Sequence, residues 1–143
     1  RPRRVSLRRD GSSEAIIDAS ALIAILREEP EGARFQRVIE TAKTRRISAA
    51  TYVESAIVID AARDPIASRR LDDFLQRTQT DVVPLTASQA KIAREAYRAF
   101  GKGSGHPARL NFGDCLAYAL AKEMDEPLLF KGNDFARAGV DPA

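Results

Sequence analysis

Four acidic side chains stand out in this sequence by the company they keep: Asp18, Glu54, Asp114 and Asp134. Asp18 closes the apolar run "AIID", Glu54 lies within "TYVESAIVI", Asp114 heads "GDCLAYALA", and Asp134, with Asn133 beside it, follows "PLLF". If the fold brings Asp18, Glu54, Asp114 and one of the last pair into one cleft, their charges repel unless a cation is bound. Carboxylates without His or Cys suit a hard, oxygen-seeking ion, Mg2+ or Mn2+, and argue against zinc. Such an ion, kept partly hydrated, activates water and stabilises charge on a phosphodiester during in-line displacement.

Each acid also has a plainer reading. Asp18 or Ser20 caps the helix that follows, both residue types being favoured there. Helical spacing sets Glu54 beside Ala50, Ile57, Val58 and Ala61, an apolar stripe on which a carboxylate needs either a buried Arg or a place at a cleft edge. Asp114 shares its face with Ala117, Tyr118 and Ala121; it caps its own helix, or Asn111 does and Asp114 projects inward from the first turn. Spacing alone leaves these alternatives open.

The elements that must position these side chains alternate in type. "AIID", "RRIS", "DVVPL" and "PLLF" read as strands; "ASALIAILREE", "GARFQRVIETAKT", "ATYVESAIVIDAAR", "IASRRLDDFLQRTQ", "TASQAKIAREAYRAF" (capped by Thr86) and "FGDCLAYALAKEM" read as helices. "GKGSGHPAR" is a loop and "KGNDF" a turn. Strand–helix alternation predicts an α/β fold, a mainly parallel central sheet with helices on both faces. Ligands in such sheets bind beyond the carboxyl ends of the strands, where Asp18 and the Asn133–Asp134 pair are expected.

Composition narrows the function classes. The chain has 143 residues, enough for one domain. Five arginines in residues 1–14, against Asp10 and Glu14, account for the whole formal charge of +3, and 18 basic residues balance 18 acidic ones in residues 15–143. Residues 1–14 are therefore read as a basic, disordered lead-in and 15–143 as the domain. No run approaches the ~20 apolar residues of a membrane helix, so a soluble protein is expected. One cysteine excludes an internal disulfide and fits the cytoplasm. Cys115 with His106 makes a poor nucleophile–base pair, since the thiol lies on an apolar helix face, and Cys115 is expected to be a small buried hydrophobe. "GKGSGHPAR" follows a helix and lacks the order of a phosphate loop; its Lys102, His106 and Arg109 either hold phosphates or belong to a solvated connection.

The motifs "IIDASALIAIL", "TYVESAIVI", "LNFGDCLAYALAK" and "EPLLFKGNDF", in this order, resemble PIN-domain ribonucleases, specifically the VapC-type toxins of bacterial toxin–antitoxin pairs. The likeness spans residues 15 to about 140. It implies a three-layer α/β/α sandwich, a Mg2+- or Mn2+-dependent endoribonuclease activity, a homodimer, and a small VapB-like antitoxin whose terminal segment covers the acidic cleft, placing an Arg among the carboxylates. Position by position, Asp18 and Asp114 match the metal ligands, Glu54 the glutamate of the site, and Ser20 its hydroxyl neighbour. The usual Thr-x-Asp after the last core strand is absent, Gly132 standing in the aspartate's place. Asp134, or Asn133, would substitute, and a single ion is expected. The alternative is a non-catalytic module of the same fold, whose carboxylates are caps and ion-pair partners.

Overall fold

Successive side chains of a strand point to opposite faces, and in this protein neighbouring isoleucines build two different cores. The computed structural model describes residues 13–143. Its first strand, β1 (Glu14–Ile17), is buried along its length. Ile17 joins Ile47 and Leu129 in one cluster with the helices α1 (Ala19–Leu26), α2 (Gly32–Thr41), α3 (Ala49–Asp60) and α4 (Pro65–Arg77). Ile16 joins Leu128 in the other, with α5 (Ala87–Phe100), α6 (Phe112–Met124) and Phe135 of α7 (Asp134–Arg137). Each of these isoleucines is wholly withdrawn from solvent, worth about 1.5–3 kcal/mol apiece. The expected three-layer α/β/α sandwich is thus formed. The lead-in expected at 1–14 lies, up to residue 12, outside the described residues; Ser13 and Glu14 belong to the domain, the Ser13 carbonyl accepting from Lys43 N at 2.8 Å.

The sheet has the order β3–β2–β1–β4, with β2 at Thr44–Ser48, β3 at Asp81–Val83 and β4 at Leu128–Leu129, and every pairing is parallel. Double-sided cover explains why β1 after Glu14 is the apolar run Ala15, Ile16 and Ile17. The strand expected at "DVVPL" ends at Val83, because Pro84 has no amide to donate. The turn expected at "KGNDF" winds instead into α7 from Asp134, after Gly132 takes a φ of +91°.

Helix ends are secured by side chains, as the sequence suggested. Asp18, Ser48, Asp64, Thr86 and Asn111 each accept from a first-turn amide. The guanidinium of Arg45 on β2 donates to the carbonyls of Ile39 (2.6 Å), Ala42 and Thr78 (2.7 Å), fastening the carboxyl ends of α2 and α4 to the sheet.

The strand order places the site. The chain leaves β1 toward β2 and β3, then returns on the other side of β1 as β4, so a crevice opens beyond the carboxyl ends of β1 and β4. Across it Lys131 N, just past β4, donates to Ser20 Oγ at 2.9 Å.

Candidate active site

Asp18 comes directly off β1, its amide bonded to the Leu129 carbonyl at 3.0 Å. Its Oδ2 accepts from Ser20 N (3.0 Å) and Ser20 Oγ (2.6 Å), so the capping role is real and does not exclude a place in the site. The carboxyl is 4% exposed. Burial pushes its pKa up to about 6 although the Ser20 bonds pull it down, and the Asp114 charge adds to the rise. The Ser20 hydroxyl, which the resemblance matches to the site's hydroxyl neighbour, is bonded to Asp18 and Lys131 N; it holds the carboxylate and ties the two lips of the crevice together.

Glu54 reaches the site by a different route from the one its spacing suggested. The buried face of α3 is Thr51, Ser55 and Ile59, while Ile57 and Val53 are 64% and 52% exposed. Small residues let α3 pack closely, and Ser55 Oγ satisfies itself on the Thr51 carbonyl at 2.8 Å. Glu54, half-buried at the border of that face, extends across to α6, where its carboxylate lies against Gly113: a Cβ there would come within 2.1 Å of Oε2. No arginine pairs with it among the described residues, and Glu54 Oε1 is buried without a hydrogen-bond partner. Burial first, then the charges of Asp18 and Asp114, push its pKa up to about 7.

Asp114 is the third residue of α6 and shares a reciprocal capping box with Asn111: Asp114 N donates to Asn111 Oδ1 (2.8 Å) and Asn111 N to Asp114 Oδ2 (2.9 Å). Asn111 is the cap, and Asp114 faces the crevice from the first turn. Burial raises its pKa, as does the charge of Asp134; the Asn111 amide and the Lys102 ammonium lower it. Asp134 is exposed at the head of α7, and its charge reaches Asp114; Asn133 before it makes no capping bond.

Asp18, Glu54 and Asp114 therefore feel one another's charges, and the charge of Asp134 reaches Asp114. They do not form a finished coordination cage. Among the described residues no three acidic, His or Cys side chains are gathered closely enough to hold an ion as they stand. Asp18 and Asp114 each have Oδ2 engaged by a local hydrogen bond. The donor set nonetheless fits a hard cation, since Glu54 has an orphaned oxygen and, among the described residues, the Lys102 charge at Asp114 is the one nearby cation that offsets the coupled carboxylates.

The basic loop, residues 101–109, is closed at its base by Lys102 N on the Leu110 carbonyl (3.0 Å) and Leu110 N on that of Phe100 (2.8 Å). Lys102 and Arg109 are exposed, Arg109 with a φ of +53°. His106, grouped with them as a phosphate ligand, instead braces the loop: Nδ1 accepts from Ala108 N at 3.0 Å and its ring stands edge-on to Phe100, centroids 4.9 Å apart. Cys115 is buried, and burial together with the Asp114 charge pushes its thiol up to about 11, which suits packing and not nucleophilic attack. Gly113 is the residue that spacing missed. A glycine in the first turn of a helix costs stability relative to alanine, and that cost was the available sign of a close approach.

A family model of the PIN domain matches residues 15–141. Over 128 residues the chain is 54% identical to ribonuclease VapC28 of Mycobacterium tuberculosis, covering 90% of this chain and 96% of that protein. The chain belongs to the VapC group of PIN-domain proteins. Solved PIN structures share its fold: M. tuberculosis VapC20, described as a toxin cleaving the sarcin-ricin loop, superposes with a TM-score of 0.72 at 16% identity, covering 90% of this chain and 98% of that one. A toxin–antitoxin complex from Klebsiella pneumoniae gives 0.64 at 18% identity, covering 85% and 90%. The VapC assignment agrees with the four sequence motifs.

Proposed function

We propose that this VapC-group protein is a metal-dependent endoribonuclease, the toxin of a toxin–antitoxin pair. The observation that carries the reading is the mutual coupling of Asp18, Glu54 and Asp114 around a buried, unpartnered Glu54 oxygen at the crevice of the sheet. The 54%-identical relative is named a ribonuclease, which supports RNA as substrate. Asp18, Glu54 and Asp114 would hold the ion, Mg2+ or Mn2+, with Asp134 at the outer edge; when bound, it supplies activated water and neutralises charge on the phosphodiester. Ser20 fixes the orientation of Asp18, Gly113 gives Glu54 room to lie against α6, and Lys102 and Arg109 offer cations to flanking phosphates.

A covering partner fits the surface. Val53, Ile57 and Ile66 on α3 and α4 are exposed aliphatic side chains, the kind a bound protein would bury. A VapB-like antitoxin laid over the crevice with an Arg among the carboxylates would satisfy the same charges as the ion, and a homodimer completes the proposed assembly. Among the described residues no helix is long and apolar enough to cross a membrane; the proposed site of action is the cytoplasm.

The test is cleavage of total RNA with and without Mn2+, comparing the native chain with Asp114→Asn, which can keep its bond to Asn111 N. Cleavage should require the ion, stop with chelator, and fall at least ~100-fold in Asp114→Asn. Cleavage that persists in chelator, or at the native rate in the folded variant, would refute the reading.

A further inference from the structure

Phe112 is the most exposed large hydrophobic side chain among the described residues, 78% accessible, and it stands two residues before Asp114 in the first turn of α6. Gly113, next in the chain, is pressed against the Glu54 carboxylate, and Asp114 follows. The backbone of Phe112 is held on both sides, because the Asn111–Asp114 capping box encloses it. Lys102 and Arg109, both exposed, rise from the loop leading into the same helix, and the Lys102 charge is felt at Asp114. An exposed aromatic side chain on an anchored backbone, with exposed cations in the loop before it and the site's acids after it, is a combination that suits single-stranded nucleic acid: phosphates go to the cations and a base stacks on the ring.

We infer that Phe112 is a stacking platform for an unpaired nucleobase adjoining the scissile phosphate. This rests on the ribonuclease reading above. A paired base has both faces covered by its neighbours and cannot stack on a side chain without leaving the helix. Because every base offers a π-face, the platform fixes the position of one nucleotide and not its identity.

The experiment uses the cleavage-silenced Glu54→Gln chain in Mg2+, titrated with short unpaired RNAs carrying 2-aminopurine at successive positions. At one position binding should quench the fluorophore severalfold. Adding Phe112→Ala should abolish that quench and weaken binding on the order of tenfold or more, whereas Phe112→Tyr should retain both. Since Phe112 packs little in the fold, circular dichroism should be unchanged in either variant. RNA bound with no quench at any position, or with the quench intact in Phe112→Ala, overturns the platform while leaving the ribonuclease reading standing. A Phe112→Ala chain that keeps the quench but changes its sedimentation would assign the ring to a protein interface instead. Failure of the Glu54→Gln chain to bind any RNA, together with failure of the native chain to cleave, removes both.

Discussion

Asp18 and Glu54 hold protons in the folded chain at pH values where the unfolded chain has released them. Their ordinary carboxyl ranges lie near 4, and burial carries them to about 6 and about 7. The folded state therefore binds more protons across that interval, so the stability these groups contribute is fully present below about pH 4 and is lost as pH rises through 6 and 7. Without a bound cation, Glu54→Gln should thus raise the unfolding free energy at pH 8 by about 1–2 kcal/mol, after discounting for partial exposure, and add nothing at pH 4. Urea titrations at the two pH values check this; a gain of equal size at both would show that charge is not the cause. The same variant should be inactive. Gly113→Ala should also cripple the site, because the new methyl occupies the place of the Glu54 carboxylate. We expect at least a ~100-fold loss of cleavage with little loss of stability, alanine being the better helix former; an active Gly113→Ala enzyme would show that Glu54 can act from elsewhere.

At the level of elements, Arg45 and Ser20 each join segments far apart in the chain. Arg45 satisfies three carbonyls at the ends of α2 and α4, far in role from the chemistry. Arg45→Met should leave those acceptors unpaired and cost about 2–3 kcal/mol in denaturant unfolding, with the metal dependence of cleavage unchanged. Ser20 joins α1 to the segment after β4 across the crevice. Ser20→Ala should lower cleavage on the order of 10–100-fold by freeing Asp18, and Ser20→Thr, which keeps the hydroxyl, should recover part of it; equal rates for all three would mean that Asp18 needs no such support. The helix α3 shows where periodicity misleads. Its more apolar residues, Val53 and Ile57, face outward, and Thr51 and Ser55 face inward. Close packing favours small side chains that satisfy their own hydroxyls, and exposed aliphatic ones suit a partner; neither shows in hydrophobicity alone.

For the whole molecule, cation binding and folding must be linked. An ion that binds only the assembled crevice stabilises the fold by about 2.7 kcal/mol at a hundred times its dissociation constant. Mn2+ should raise the melting temperature at pH 8, and by less at pH 5, where Asp18 and Glu54 are largely protonated. Asp114→Asn should reduce the rise, and an equal rise at both pH values would place the ion elsewhere. Sequence by itself determined most of the order of strands and helices and the double-sided sheet, because burial patterns and caps are local, and the family motifs nominated the four acids. Tertiary structure decided what each side chain does locally: Asp18 caps α1 and Asp114 shares the capping box of α6 while both charges reach Glu54, Glu54 meets Gly113 across two helices, and His106 braces a loop. Those outcomes depend on distances between segments far apart in the chain, set by sheet order and by how closely helices approach, and residue spacing contains no measure of either.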